Sequence, residues 1–188
     1  MANFFISREL TKNIEGGFWN DPSAGWTYAG ITKNNYPFWP GWNRLQELQK
    51  KFFNGQEIPR YKIFNDSILE NLVSDFYKNN FWNKILSGDL IKNQVIANFI
   101  YDFIVHKQNA AVGVINNSVS LLDPHITNTS KTSLTKDVID IINKLPVQFY
   151  QTLRTARINY YQSSKHFSDK FKKAFVDRVN KFPVSIAA

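Results

Sequence analysis

Residues Ile14 to Thr32 read IEGGFWNDPSAGWTYAGIT, a single glutamate among four glycines and the aromatics Phe18, Trp19, Trp26 and Tyr28. Just upstream, Ile6, Leu10 and Ile14 recur every four residues, which predicts a short amphipathic helix over residues 2–14 with those three as its apolar stripe. Gly16 and Gly17 stop that helix. Residues 15–32 then read as loop with a small hairpin, because glycine supplies positive φ and Pro22 breaks a ladder. Glu15 therefore closes an apolar helical stripe and opens a glycine-rich segment, which is not where an ordinary surface glutamate sits.

Outward from this stretch the chain reads as helix after helix. Trp42, Leu45, Leu48, Gln49 and Phe52 give a stripe ending near Gly55. Ser67 and Glu70 form a capping-box pattern ahead of Leu69, Leu72, Val73 and Phe76, in a helix that ends around Trp82. Residues 91–106 are apolar on most faces, as in a helix buried mid-domain, and a shorter helix follows through Val112, Ile115 and Val119. The polar connection at 123–133 separates these from an apolar element at 138–142, which Pro146 stops while opening the next helix. That helix carries Phe149, Leu153, Ala156 and Tyr160, and the last, at 165–182, repeats Phe167, Phe171, Phe175, Val179 and Phe182. The fold class is mainly α, and the small loop or hairpin region comes after the first helix.

Composition narrows the chemistry. The 188 residues carry 43% hydrophobic and 20% charged side chains, within the range of a globular chain long enough to bury a core. Cysteine is absent, which excludes disulfides and a thiol nucleophile, and His106, His125 and His166 are spread singly, so no metal site and no cofactor are expected. No stretch approaches the roughly 20 apolar residues that cross a bilayer, and MANFFISREL lacks the pattern of a secretory signal. The net charge of +8 and pI near 9.6 favour a polyanionic partner, with anionic cell-envelope polymers as eligible as nucleic acid, or else simply keep the protein in solution.

The stretch from Glu15 to Thr32 resembles the signature Glu-Gly-Gly-aromatic-x-Asn-Asp-Pro…Gly-Gly-x-Thr-x-x-Gly-Ile-Thr of glycoside hydrolase family 108, the muramidase-type phage endolysins once labelled secretion activator proteins. The likeness continues through Trp82, Gly88, Asp89, Ala97, Asp102, Val105 and His106, which match the family's peptidoglycan-binding second half, and RINYYQSSKHFSDKFKKAFVDRV is similar to its closing helices. The resemblance implies a lysozyme-like N-terminal lobe over residues 1–85 and a helical peptidoglycan-binding lobe over 86–188, packed as one globular unit. It also implies cleavage of the β-1,4 bond between N-acetylmuramic acid and N-acetylglucosamine, with peptidoglycan glycan strands as partner. A monomer is expected, made in the cytoplasm without a recognisable signal peptide and acting at the cell wall or periplasm after release.

Glu15 suits that chemistry on its own terms. Cutting a glycosidic bond needs a carboxylic acid still protonated near neutral pH, and apolar neighbours such as Ile14, Phe18, Trp19 and Trp26 raise a carboxyl into that range. The competing reading is a glutamate that bonds the amides of its own loop. A second carboxylate normally activates water or steadies the oxocarbenium charge. Where the family has a longer loop with an aspartate before its Gly-Gly pair, this chain has Ser23-Ala24-Gly25, which leaves Asp21 as the nearby substitute. By analogy with phage-type lysozymes Thr27 holds the attacking water, or it closes a turn. Trp26 and Tyr28 are the expected cleft rings, and Trp39, Trp42 and Trp82 the packing ones. Asp102 and His106 lie four apart on the buried helix, either lining the cleft as substrate-binding residues or forming a satisfied polar pair in the core. In the family the position of His106 is commonly asparagine.

Three function classes compete: an active muramidase or single-glutamate lytic transglycosylase, a wall-binding relative impaired in catalysis, and a basic nucleic-acid-binding domain. The last is disfavoured because its Lys and Arg are dispersed and no recognition motif accompanies them.

Overall fold

Helical periodicity, broken by glycine and proline, carries through into the computed structural model, which describes residues 1–12, 16–126 and 130–187, with Asn109 as backbone only. Helix α1 (Phe4–Lys12) is followed by strands β1 (Trp19–Asp21), β2 (Gly25–Tyr28) and β3 (Ile31–Thr32), which form one antiparallel sheet in that order. Then come α2 (Gly41–Phe53), α3 (Ser67–Tyr77), π-helical turns over Lys78–Leu86 and a 3-10 turn at Gly88–Leu90. The chain closes with α4 (Gln94–Leu122), α5 (Lys136–Lys144), α6 (Pro146–Ser163) and α7 (Asp169–Asn180). The fold is mainly α with a small sheet after the first helix, as a lysozyme-like architecture requires.

The chain divides into two compact units, Arg8–Asn80 and Met1–Ser7 with Phe81–Ala188. The division falls after Asn80 rather than after residue 85, and it assigns the first seven residues to the second unit. The reason lies in aromatic packing: Phe4 meets Trp82 and Tyr101 edge-on at 5.8 and 6.0 Å.

Helix α1 buries a different face from the one its apolar spacing predicts. Ile6 and Leu10 are 50% and 53% exposed, while Phe4, Ser7, Arg8 and Thr11 are buried; Ile14 lies outside the described residues. Spacings of three and four put those buried side chains on one face. In one unit, Ser7 Oγ donates to Asn98 Oδ1 at 2.6 Å. In the other, the Arg8 guanidinium lies over the Tyr77 ring at 4.3 Å, a cation–π contact that lets a charged side chain take a core position.

Elsewhere local rules hold with small shifts. The cap of α3 is Asp66, not Ser67: its Oδ1 accepts from Leu69 N at 2.8 Å, and Arg44 grips the same carboxylate through Nε and Nη2. Gln108 interrupts α4 with a φ of 37°, so the two helices read from sequence on either side of that point are present as a kinked pair. Pro146 occupies the first turn of α6. Helix α7 is shorter than its predicted span of 165–182, and Phe171 on it is exposed. The connection at 123–133 is described except for residues 127–129. Trp39, Trp42 and Trp82 are all buried.

Candidate active site

Glu15, the expected acid, lies outside the described residues together with Asn13 and Ile14. The chain on both sides of it is firmly placed. Lys12 Nζ ends α1 with a 2.9 Å ion pair to Glu70. Beyond the gap, Gly16 has a φ of +70°, and a Cβ on Gly17 would stand 2.5 Å from the carbonyl oxygen of Tyr61, so only glycine fits there. That close approach lets Phe18 N donate to Lys62 O (2.9 Å) and Tyr61 N donate to Phe18 O (2.6 Å), which ties the residue before β1 to the 57–64 loop. Arg60 then stacks on the Trp19 ring at 3.5 Å.

The register of the sheet sorts the candidate residues. Trp19 faces Thr27 across the strands, and Thr27 faces Thr32; Asn20 pairs with Trp26, and Tyr28 with Ile31. Alternation along β1 therefore puts Trp19, Asp21, Thr27 and Thr32 on one face. Phe18, Trp26, Tyr28 and Ile31 take the other, and three of these four are fully buried. Asp21 and Thr27 thus share a surface, while Trp26 and Tyr28 sit behind it.

Tyr28, expected as a cleft ring, is only 5% exposed. Its hydroxyl accepts from Phe64 N at 3.3 Å, and burial raises its pKa, so it packs the sheet against the loop beneath. Trp26 is half-buried, edge-on to Phe18 at 5.3 Å, with Lys33 Nζ 5.2 Å from its ring. Tyr77 anchors the same layer by donating to Ala29 O at 2.7 Å.

Asp21 is held by donors from its own loop and from Trp19. Its Oδ1 accepts from Ser23 Oγ (2.6 Å), Ser23 N (2.7 Å) and Ala24 N (2.9 Å), and its Oδ2 from Trp19 Nε1 (3.0 Å). The Ser23 hydroxyl, then the Trp19 indole and the two amides, hold its pKa far below the ordinary carboxylate range. Such a group keeps its negative charge at any working pH and is a weak proton acceptor. Among the described residues, Thr27 Oγ1 makes only a long 3.4 Å contact, to Gly25 O. Its cross-strand partner Thr32 has a buried Oγ1 without a hydrogen-bond partner among the described residues. Sequence reasoning missed Thr32, although its place in Gly-Ile-Thr, five residues after Thr27, carries the signal once the hairpin register is drawn.

Asp102 and His106 belong to the other unit, Asp102 fully buried and His106 half-buried. Arg157 Nη2 donates to Asp102 Oδ2, and Arg178 reaches both oxygens through Nε and Nη2 at 2.7–3.1 Å. Burial alone would raise its pKa; the two guanidiniums outweigh that and keep it ionised. The residue expected to touch sugar thus ties α4 to α6 and α7, and has no exposed atom to offer a ligand. His106 Nδ1 shares a 2.9 Å hydrogen bond with Tyr161 Oη. Burial, and then the charge of Arg178, push its pKa down to about 3, so it is a neutral imidazole.

A mainly α fold with a small three-stranded sheet after its first helix is consistent with a lysozyme-like architecture. The family model of glycosyl hydrolase 108 matches residues 9–107, more than half of the chain, and the chain belongs to that family. No curated protein matches it. The matched span takes in Glu15, the whole sheet, and α4 up to the residue before its break at Gln108. Among the described residues no helix is long and apolar enough to cross a membrane.

Proposed function

We propose that this glycoside hydrolase is an N-acetylmuramidase that cuts the β-1,4 bond between N-acetylmuramic acid and N-acetylglucosamine in peptidoglycan. The observation that carries the reading is the juxtaposition of Asp21 and Thr27 on one sheet face, in the segment that the family match joins to Glu15. Glu15 protonates the leaving glycosidic oxygen. Asp21, fixed as an anion, steadies positive charge developing at the anomeric carbon, and Thr27 orients the water that attacks it. The unit containing α4 to α7 is proposed as the peptidoglycan-binding part, and the site of action is the cell wall or periplasm.

Asp21 favours a second reading. With its lone pairs committed to four donors it draws a proton from water poorly, so Glu15 can serve both steps, with the 6-hydroxyl of the muramic acid as nucleophile. The two routes leave different ends. Digesting purified peptidoglycan and weighing the fragments separates them: hydrolysis gives a reducing muramic acid, and the single-glutamate route gives a 1,6-anhydro end lighter by one water. Fragments that end in reducing N-acetylglucosamine would contradict both.

A further inference from the structure

The segment 35–40 leaves β3 and forms one wall of a groove of about 470 Å³, with the C-terminal end of α3 as the other wall. Its rings are Tyr36, Phe38, Trp39 and Phe76, and Asn35 and Asp75 stand exposed at its rim. Phe38 is 95% exposed, yet the backbone that displays it is held from both sides. Trp39 Nε1 donates to Leu72 O at 3.2 Å, and Trp42 Nε1 donates to Tyr36 O at 2.7 Å. Trp39 and Trp42 pack edge-on at 4.8 Å, as do Tyr36 and Phe76 at 4.6 Å. Pro37 and Pro40 bracket the displayed ring, and their fixed φ removes further freedom. A large apolar side chain presented to water on a pinned platform is a contact residue waiting for a flat partner.

Charge chooses among partners. In a chain of net charge +8, the residues lining this groove include no Lys and no Arg, and Asp75 is their one ionisable acid. The groove therefore offers no cation of its own to hold a phosphate-bearing wall polymer or an anionic membrane surface. An uncharged amino sugar fits: its C–H face lies on the rings, while its hydroxyl and acetamido groups meet the carboxylate and amides of the rim. The wall is also continuous with the candidate active site, since Tyr36 N donates to Thr32 O at 3.0 Å and Thr32 shares the sheet face of Asp21 and Thr27.

We propose that this groove is a second glycan-binding site, which holds uncharged N-acetylhexosamine units of the same strand away from the bond being cut. The inference rests on the glycan-cleaving reading above. Its test uses the full chain, with chitohexaose as the binding probe in a Glu15→Gln background and peptidoglycan stripped of teichoic acid as the kinetic substrate. Phe38→Ala raises the Kd for chitohexaose and the KM for peptidoglycan about tenfold, with kcat and Tm unchanged, the size of loss expected of a central aromatic contact. Phe38→Trp restores both. Unchanged affinity in Phe38→Ala, or no binding of chitohexaose by the background protein, overturns the proposal. So does a variant that loses affinity for teichoic acid alone. If instead the wild type releases no fragments while Phe38→Ala still loses chitohexaose, the catalytic reading fails and the groove stands.

Discussion

Asp21 and Asp102 are both kept ionised, by opposite means. Asp21 lies in the sheet-bearing unit and draws its donors from residues two and three places ahead and from the indole two places behind. Asp102 draws its donors from Arg157 and Arg178, 55 and 76 residues away, in a site closed to bulk solvent. The first is a local device that leaves the carboxylate at a surface where a substrate can meet its charge. The second is a long-range one that spends the whole carboxylate on holding three helices. A depressed pKa is thus common to a candidate catalytic anion and to a structural one, and exposure separates them.

The largest expected effect lies at Asp102. Asp102→Ala leaves two buried guanidiniums without their counter-charge, and removal of one partner from such a cluster costs about 3–5 kcal/mol. Urea denaturation reads this directly, and a midpoint equal to wild type would show that the cluster carries no structural load. Asp21→Asn replaces one acceptor oxygen by an amide that cannot accept from the Trp19 indole, so the melting temperature falls slightly, and it slows peptidoglycan release by about a hundredfold, as loss of a positioned transition-state charge does. A variant with full activity would remove Asp21 from the mechanism.

His106 sharpens the contrast through pH. Its folded pKa of about 3 lies below the unfolded value near 6.5, so the unfolded chain takes up a proton that the folded chain refuses. Stability from this residue is complete above pH 6.5 and declines as pH falls toward 3, a window that mostly precedes any protonation of Asp102. His106→Asn flattens the dependence of Tm on pH between 6.5 and 4; an undiminished slope would assign it elsewhere. The smallest effect is at Thr32. Replacing its hydroxyl, buried without a partner among the described residues, by a methyl in Thr32→Val raises stability by about 1 kcal/mol in thermal unfolding, and a loss would reveal a partner for that hydroxyl.

The same contrast explains what the sequence could convey. Features whose causes are local were legible: Pro146 opening α6, the break near Gln108 between two apolar runs, and the burial of Trp39, Trp42 and Trp82. Features decided by distant partners were not. Ile6 and Leu10 have the spacing of a core stripe, yet Arg8 takes the buried place because the Tyr77 ring receives its charge. Tyr28 looked like a sugar-stacking ring, and only the hairpin register shows it behind the sheet, bonded to Phe64. No pattern along α4 announces that Asp102 will meet Arg157 and Arg178.

The central claim is that Glu15 supplies the proton for glycosidic cleavage. It is tested by the rate at which purified peptidoglycan is solubilised by the wild type and by Glu15→Gln, with folding of both checked by circular dichroism. General-acid loss predicts a fall of roughly 10²–10⁴-fold in a variant that remains folded and still binds the wall. Solubilisation by Glu15→Gln at the wild-type rate would contradict it.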